Sequence, residues 1–468
     1  MEHDGLPTPR RYWSALTIWL AISLTVLDGS IANIALPTIA RELHATPAAS
    51  IWVVNSYQIA ITVALLPLSA LGDSIGCRRV YLTGMTVFIF SSLGCAMSQS
   101  LEALTTFRVL QGFGAAGIMS VNPALVRFTY PSNKLGRGMG MNALVLSVSA
   151  AAGPTLASGI LLVAPWQWLF AINLPIGMAA FLIGKRHLPQ TPRSGRRVDL
   201  ASALLNALTF GPLIHGVDVL TRGQGTVLAV LEIAVAVCAG TALALRSLSI
   251  PRPLVPVDLL RVPLFALSIL TSICSFVPQM LAIVSLPFYL QGYLHRSQVE
   301  TGLLITPWPL ATGLSAPIAG RLADRYPAGL LGGIGLSVFA CGLASLALTP
   351  EDASNANIVW RTALCGLGFG FFMSPNNRAM VSSAPLERSA GAGGMLATAR
   401  LLGQTTGASI VAMLFHAMGP RQGAVAALWT GVGVAGTAAV ISTLRLRLGT
   451  GSRPSLIAPK PSKKKTGD

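Results

Sequence analysis

Three ionisable residues sit deep inside apolar stretches of this chain: Asp28, Arg108 and Arg400. A charge at such a depth costs about 2.5–3.5 kcal/mol even on lenient insertion scales, and such residues face a bundle interior or a water-filled cavity, where they mark proton and substrate paths. Asp28 stands roughly eight residues before the end of the first apolar stretch and Arg108 roughly seven after the start of the fourth; at about 1.5 Å per residue both lie about 10–12 Å below the same surface. A carboxylate and a guanidinium at one level can pair. A contact that changes between conformations can load and release a proton, whereas one that never changes is a static ion pair that specifies packing. Arg400 lies near the middle of the thirteenth stretch with no acid at a comparable level in that half of the chain. It can face backbone carbonyls, an anionic group of a substrate, or Asp28 across a cavity. Asn33 and Gln404 are the polar residues expected beside it in a substrate cavity.

A second set lies at the ends of apolar stretches. Asp73 precedes Gly76, Arg78 and Arg79, and Asp324 precedes Arg325. Each acid can pair with those arginines or sit at a nearby helix N-terminus, where the dipole favours negative charge. Either arrangement makes a conformational latch; the plainer alternative is a basic, topology-setting loop with an incidental acid. Gly153-Pro154 removes a side chain and a backbone donor at one point, which allows a bend and close helix contact.

The elements that position these residues are membrane-spanning helices. Of the 468 residues 52% are hydrophobic and 10% charged, with mean hydropathy +0.64; a soluble domain carries about 25% charged residues. Fourteen apolar stretches approach the ~20 residues that a bilayer requires: 12–36, 50–71, 79–97, 102–126, 138–163, 166–184, 199–220, 226–246, 263–290, 300–320, 328–348, 357–378, 390–417 and 423–444. The net charge of +17 does not indicate nucleic acid, because the basic residues punctuate these stretches instead of forming one face. With the N-terminus inside, 26 of the 33 Lys and Arg fall in cytoplasmic segments, seven of them in a tail counted from Arg445, and both termini are cytoplasmic. The six cysteines are scattered without metal or disulfide spacing and read as buried thiols. The first stretch is too long for a signal peptide and reads as a retained helix.

The chain also repeats itself. Asp73 and Asp324 are 251 residues apart, Arg108 and Arg361 are 253 apart, and Met119-Ser120-Val121-Asn122 and Met373-Ser374-Pro375-Asn376 are 254 apart. Each pair falls on stretches of matching direction, eight stretches apart. Two six-helix bundles with one inserted helix pair give that offset. The expected divisions are a first bundle over 1–184, a linker and inserted pair over 185–250, a second bundle over 251–448, and a basic disordered tail over 449–468.

With these residues in hand, the sequence resembles the major facilitator superfamily, and within it the fourteen-helix drug:proton antiporters, over nearly the whole chain. Leu27 to Pro37 is similar to the L-D-x-x-I-x-N-x-A-L-P element, Arg108 to Gly112 to R-x-x-Q-G, Gly153-Pro154 to the antiporter motif, and Trp166 to Pro175 to W-x-W-x-F-x-I-N-x-P. The loop around Asp73 departs from the usual pattern with Ser69, Ser74 and Cys77, and its second copy carries Pro327 in place of Gly. The resemblance implies an all-α membrane protein of two pseudo-symmetric bundles and a central cavity that opens to either side in turn.

The expected function is proton-coupled export of amphipathic, cationic toxic compounds from the bacterial inner membrane, with Asp28 as proton carrier and Arg108 as its tuner. The rival within transport is an exporter or symporter of an anionic or zwitterionic metabolite, clamped by Arg400 and Arg108. A non-transporting receptor or scaffold is a further alternative. The partners implied are a small-molecule substrate, protons and the lipid bilayer, with no nucleic acid and no obligate protein. No cofactor beyond the proton motive force is expected: the sequence has no G-x-x-x-x-G-K-[ST] loop, no H-E-x-x-H and no G-x-S-x-G, so it is not read as an enzyme. Of the remaining polar residues, Asn33, Asn122, Asn142, Asn173 and Asn206 are expected mainly in interhelical hydrogen bonds. Asp218 and Glu232 are expected to be solvated or interfacial near the outer end of the inserted pair, away from transport, and the neighbouring His215 is expected to be a structural histidine.

Overall fold

The computed structural model describes residues 4–449 except 46, 51, 196–198, 222–225, 251–252, 255, 293, 297 and 351. Among these the regular structure is all helical, as required of lipid-embedded segments that must satisfy every backbone group internally. The long helices are α1 (Arg10–Glu42), α2 (Trp52–Ile75), α3 (Cys77–Ala96), α4 (Leu101–Thr129), α5 (Leu135–Val163), α6 (Asn173–His187), α7 (Leu200–Thr221), α8 (Thr226–Ser249), α9 (Pro263–Gly292), α10 (Pro307–Ala323), α11 (Ala328–Ala347) and α12 (Asn355–Ser383). A last helical run, Ser389–Gly449, is broken at Gly419, whose φ of 75° is left-handed; its two parts are α13 (389–418) and α14 (420–449). Twelve of the expected stretches therefore fall on single long helices, while 166–184 and 300–320 are each divided between a short helix and a longer one, Trp168–Ala171 with α6 and Gln298–Ile305 with α10. Ten helices among the described residues are long and apolar enough to cross a bilayer.

The repeat extends to the helix ends. Ser100 caps α4 by accepting from the Ala103 amide at 3.2 Å, and Ser354 caps α12 by accepting from the Asn357 amide at 3.3 Å. Both helices end in extended backbone at the residue before a proline, Tyr130 before Pro131 and Ala384 before Pro385, where the proline ring disfavours further helix. A 3-10 turn follows in each case, Ser132–Lys134 or Leu386–Arg388, and then the next long helix begins. These two matched connections carry half of the latch described below.

Each half has its own apolar core. Tyr81, Phe88, Val121 and Leu125 lie in the first, and Phe276, Phe339, Phe369 and Phe372 in the second. Between the halves α5 packs on α10, and α13 packs on α2 and α4. The inserted pair α7–α8 packs chiefly on itself and joins the first half through α2. Asn206 donates to the Val63 carbonyl at 2.7 Å, and the His215 ring stacks on Trp52 with centroids 5.2 Å apart. His215 Nδ1 also contacts Glu232 at 2.7 Å, so His215 is structural as expected, and Glu232, expected to be solvated or interfacial, helps tie α7 to α8. Asp218's side chain lies outside the described residues, as does nearly all of the 449–468 tail.

One part of the tail expectation is corrected. Arg445 belongs to α14 and is 2% exposed. It donates to Asn376 Oδ1 at 2.6 Å and to Ser268 Oγ at 3.0 Å. The basic composition after this residue hides a helix that continues one more turn and points one arginine inward.

Candidate functional site

Arg108 and Gln111 are three residues apart on α4, so both project from one face toward α1 and α3. Gly112 beside them brings α2 close: a Cβ there would lie 2.7 Å from the Tyr57 carbonyl oxygen. That approach lays the Tyr57 ring 4.1 Å from the Arg108 guanidinium carbon, a cation–π contact strengthened by loss of water. Tyr57 is held in turn by donation to the Thr25 carbonyl at 3.0 Å.

Asp28 enters this pocket from α1 and is 2% exposed. Arg108 Nη1 donates to its Oδ2, Gln111 Nε2 to its Oδ1 at 2.8 Å, and Asn173 Nδ2 to the same Oδ1 at 2.9 Å. Arg108 also donates to Gln111 Oε1 at 2.7 Å and to the Val53 carbonyl at 2.9 Å, while its Nη2 is buried without a partner. Ser92 accepts from Gln111 at 2.8 Å. The expected pairing of Asp28 with Arg108 is therefore present, inside the first half and apart from the central cavity. Gln111 and Asn173, which complete the carboxylate's hydrogen bonding, were not singled out for it by the sequence. Among the described residues the second half has no equivalent: Arg361 turns to Asn357 Oδ1 at 2.7 Å, to the Ser345 carbonyl and to Thr349.

A cavity of about 240 Å³ lies between the halves. Gln58, Asn122, Asn142, Arg400 and Gln404 supply much of its polar wall, and Leu65, Met119, Leu146, Phe276 and Met373 much of its apolar wall. Phe210 of the inserted helix α7 reaches it too. Arg400 and Gln404 thus sit where expected; the side chain of Asn33 lies outside the described residues. Arg400 lies over Phe276 at 5.8 Å. Asn122 and Asn142 depart from expectation, since Asn122 leaves both amide atoms and Asn142 its oxygen buried without partners. Asn173 and Asn206 do make interhelical bonds.

At the end of the molecule that bears the N-terminus, the two acids of the repeat reach across to the opposite half. Asp73 accepts from the Ala390 and Gly391 amides, both at 2.9 Å, in the first turn of α13. Asp324 accepts from Gly136 at 2.7 Å and Arg137 at 3.2 Å, in the first turn of α5. Arg378 Nε adds a contact to Asp324 at 3.3 Å, and Arg127 donates to the Ala384 carbonyl and Ser389 Oγ at 2.9 Å. Of the two arrangements open from the sequence, the helix N-terminus holds. Arg78 donates to the Lys185 carbonyl within its own half, and neither it nor Arg79 nor Arg325 forms an ion pair with Asp73 or Asp324. Gly76 supplies the left-handed turn, φ 102°, that starts α3. Gly153 is buried in α5, which runs unbroken past it, and the side chain of Pro154 lies outside the described residues.

The chain is 56% identical over 450 residues to the uncharacterized transporter YebQ of Escherichia coli (strain K12), covering 95% of this chain and 98% of that one. It is 29% identical to the riboflavin transporter RibZ of Clostridioides difficile (87% of this chain, 89% of that one) and 29% identical to the tetracenomycin C resistance and export protein of Streptomyces glaucescens (88% and 76%). Its fold is similar to that of the proton:xylose symporter XylE, with a TM-score of 0.64 at 14% identity over 95% of this chain and 96% of that one. A profile of the Major Facilitator Superfamily matches residues 18–408. Two matched helical halves around a polar-walled cavity, joined at one end by reciprocal acid-to-helix contacts, belong to a multi-pass membrane transporter, and the chain is a member of the Major Facilitator Superfamily.

Proposed function

We propose that this transporter is a proton-coupled antiporter that exports amphipathic compounds by alternating access. It crosses the bacterial inner membrane fourteen times, with both termini cytoplasmic. The observation that carries this reading is the Asp28 site: one carboxylate, buried among an arginine, two amides and an aromatic ring, and, among the described residues, found in one half only. A static structural pair needs no such asymmetry, whereas a carrier of one proton per cycle needs one acid. The bias of Lys and Arg toward one side supports the orientation, and the resemblance to drug:proton antiporters supports export. The membrane potential contributes about 2.3 kcal/mol per charge per 100 mV, so one inward proton per cycle drives extrusion.

In the conformation described, the latch is closed at the termini end and Asp28 is paired and sealed from the cavity. Proton uptake requires a second conformation in which α1 and α4 part and water reaches the carboxylate. Protonation then removes the charge that holds Arg108, and the first half repacks around a neutral acid. The preference for cations expected from the resemblance gains no support from the cavity, because no acidic residue lines it among the described residues.

The test is transport by purified protein in proteoliposomes with an imposed pH gradient and a fluorescent amphipathic dye. Wild type accumulates or expels the dye according to the gradient. Asp28→Asn, checked for an unchanged melting temperature, loses the dependence on the gradient. Gradient-driven transport that survives in Asp28→Asn would overturn the assignment of Asp28 as proton carrier.

A further inference from the structure

The geometry points to an amphipathic organic anion as the substrate class of the central cavity, with Arg400 as its counter-ion. This rests on the proposed transport reading and deepens it. Arg400 lines the cavity, and its guanidinium has no hydrogen-bond or ion-pair partner among the described residues. Among the described residues no Asp or Glu stands in the wall to neutralise it. The carboxylate that could have done so, Asp28, is fully engaged elsewhere by Arg108, Gln111 and Asn173. A cation left unpaired within a membrane protein is costly, and a ligand that brings the missing negative charge removes that cost. The same charge repels a cationic guest.

A second observation is independent of the arginine. Asn122 is 2% exposed, faces the cavity and has neither amide atom satisfied; the Asn142 oxygen is likewise buried and unpartnered. Buried polar groups without partners are rare in folded proteins. Two such amides beside an unpaired cation supply the donor and acceptor groups of a polar binding site. The remaining wall sets the rest of the guest: Phe276, Phe210, Met119 and Met373 offer aromatic and polarizable surface to a planar apolar body. The guest is therefore a carboxylate- or phenolate-bearing ring system that carries further hydrogen-bonding groups for the asparagines. Outward movement of such an anion is favoured by an inside-negative potential.

Two dyes of one xanthene skeleton and opposite charge test the inference: fluorescein, an anion at alkaline pH, and rhodamine 123, a cation. Binding to the full-length transporter in nanodiscs is followed by fluorescence anisotropy for wild type, Arg400→Lys and Arg400→Gln. Wild type is expected to bind fluorescein about tenfold or more tightly than rhodamine 123, the scale of one charged hydrogen bond. Arg400→Gln abolishes the preference and Arg400→Lys retains part of it. Asn122→Ala weakens fluorescein binding without reversing the order of the dyes. Equal or tighter binding of rhodamine 123 by wild type, or fluorescein affinity unchanged in Arg400→Gln, overturns the assignment. Failure of proton coupling is read separately: an anion preference that depends on Arg400, together with transport indifferent to a pH gradient, keeps this inference and discards the antiport mechanism.

Discussion

Replacing Asp73 by Asn keeps the shape of the side chain and removes its charge. In the structure the carboxylate takes two amides of α13, each at 2.9 Å, one on each oxygen. Asparagine keeps one carbonyl oxygen for one of them and turns an NH2 group toward the other. The substitution therefore forfeits one hydrogen bond to a charged group, about 1.5–3 kcal/mol, and the remaining bond loses its charge and its favourable helix-dipole interaction. Since every 1.4 kcal/mol is tenfold, the balance between closed and open forms at the termini end shifts by about 10–100-fold toward open. Spin labels at Asn133 and Glu387, exposed on the two matched 3-10 turns of opposite halves, report that opening as a longer inter-label distance. Asp324→Asn should act in the same direction through Gly136 and Arg137. Because one rigid-body motion opens both contacts, the double variant should combine the two shifts in free energy. Arg78→Gln is the control and should leave the distances alone, since Arg78 bonds within its own half. Unchanged distance distributions in both aspartate variants would refute the latch.

Gly112→Ala places a methyl 2.7 Å from the Tyr57 carbonyl oxygen and against the Ala60 methyl; overpacking of this kind costs about 1–3 kcal/mol, seen as a lower melting temperature together with loss of gradient-driven transport. The Asp199–Arg246 contact at the base of the inserted pair gives a pH prediction. Two hydrogen bonds from Arg246, at 3.0 and 3.1 Å, are the main cause that holds the Asp199 carboxyl down at about 2. A folded-state value below the unfolded one stabilises above the ordinary carboxylate range and fades as pH falls through about 2. Asp199→Asn should therefore lower the melting temperature slightly and equally between pH 5 and pH 8, and the difference should narrow only in strong acid.

Much of the site was legible because the membrane makes charge informative. Asp28 and Arg108 stood out against apolar neighbours, and counting residues to the helix ends placed them at one level, where they pair. The 251-residue offset anticipated that Asp73 and Asp324 play matched roles. It left open which partner each would choose, because Arg78, Arg79 and Arg325 are as close in sequence as the helix N-terminus is distant. Reach decides it: Ala390 is 317 residues from Asp73, and no local pattern announces that contact. Gln111 and Asn173 were hidden for a related reason. An amide in a membrane helix has many uses, and Asn173 lies 145 residues from the acid it holds. Arg445 was misread because its neighbours are basic and polar, whereas its own side chain closes on Asn376 and Ser268.

The two halves share a set of reciprocal contacts and differ in their buried polar centres, and that difference organises the proposed mechanism. Arg127 and Arg378 are 251 residues apart, like Asp73 and Asp324, and each reaches across to the other half's turn. Opening one contact of such a reciprocal pair would strain its twin, and the proposed latch would then act as one gate. Away from the gate the symmetry lapses. The first half buries an acid with its arginine. The second buries Arg445 among an amide and hydroxyls, with no carboxylate in its hydrogen-bond set. Its other arginine in this region, Arg400, faces the cavity unpaired. In the proposed mechanism protonation is registered at Asp28 in the first half, and the electrostatic demand on the guest comes from Arg400 in the second. The proposed guest also touches Asn122 and Asn142 of the first half, so proton and substrate would meet in that bundle, and the latch together with the α5–α10 packing links it to the other.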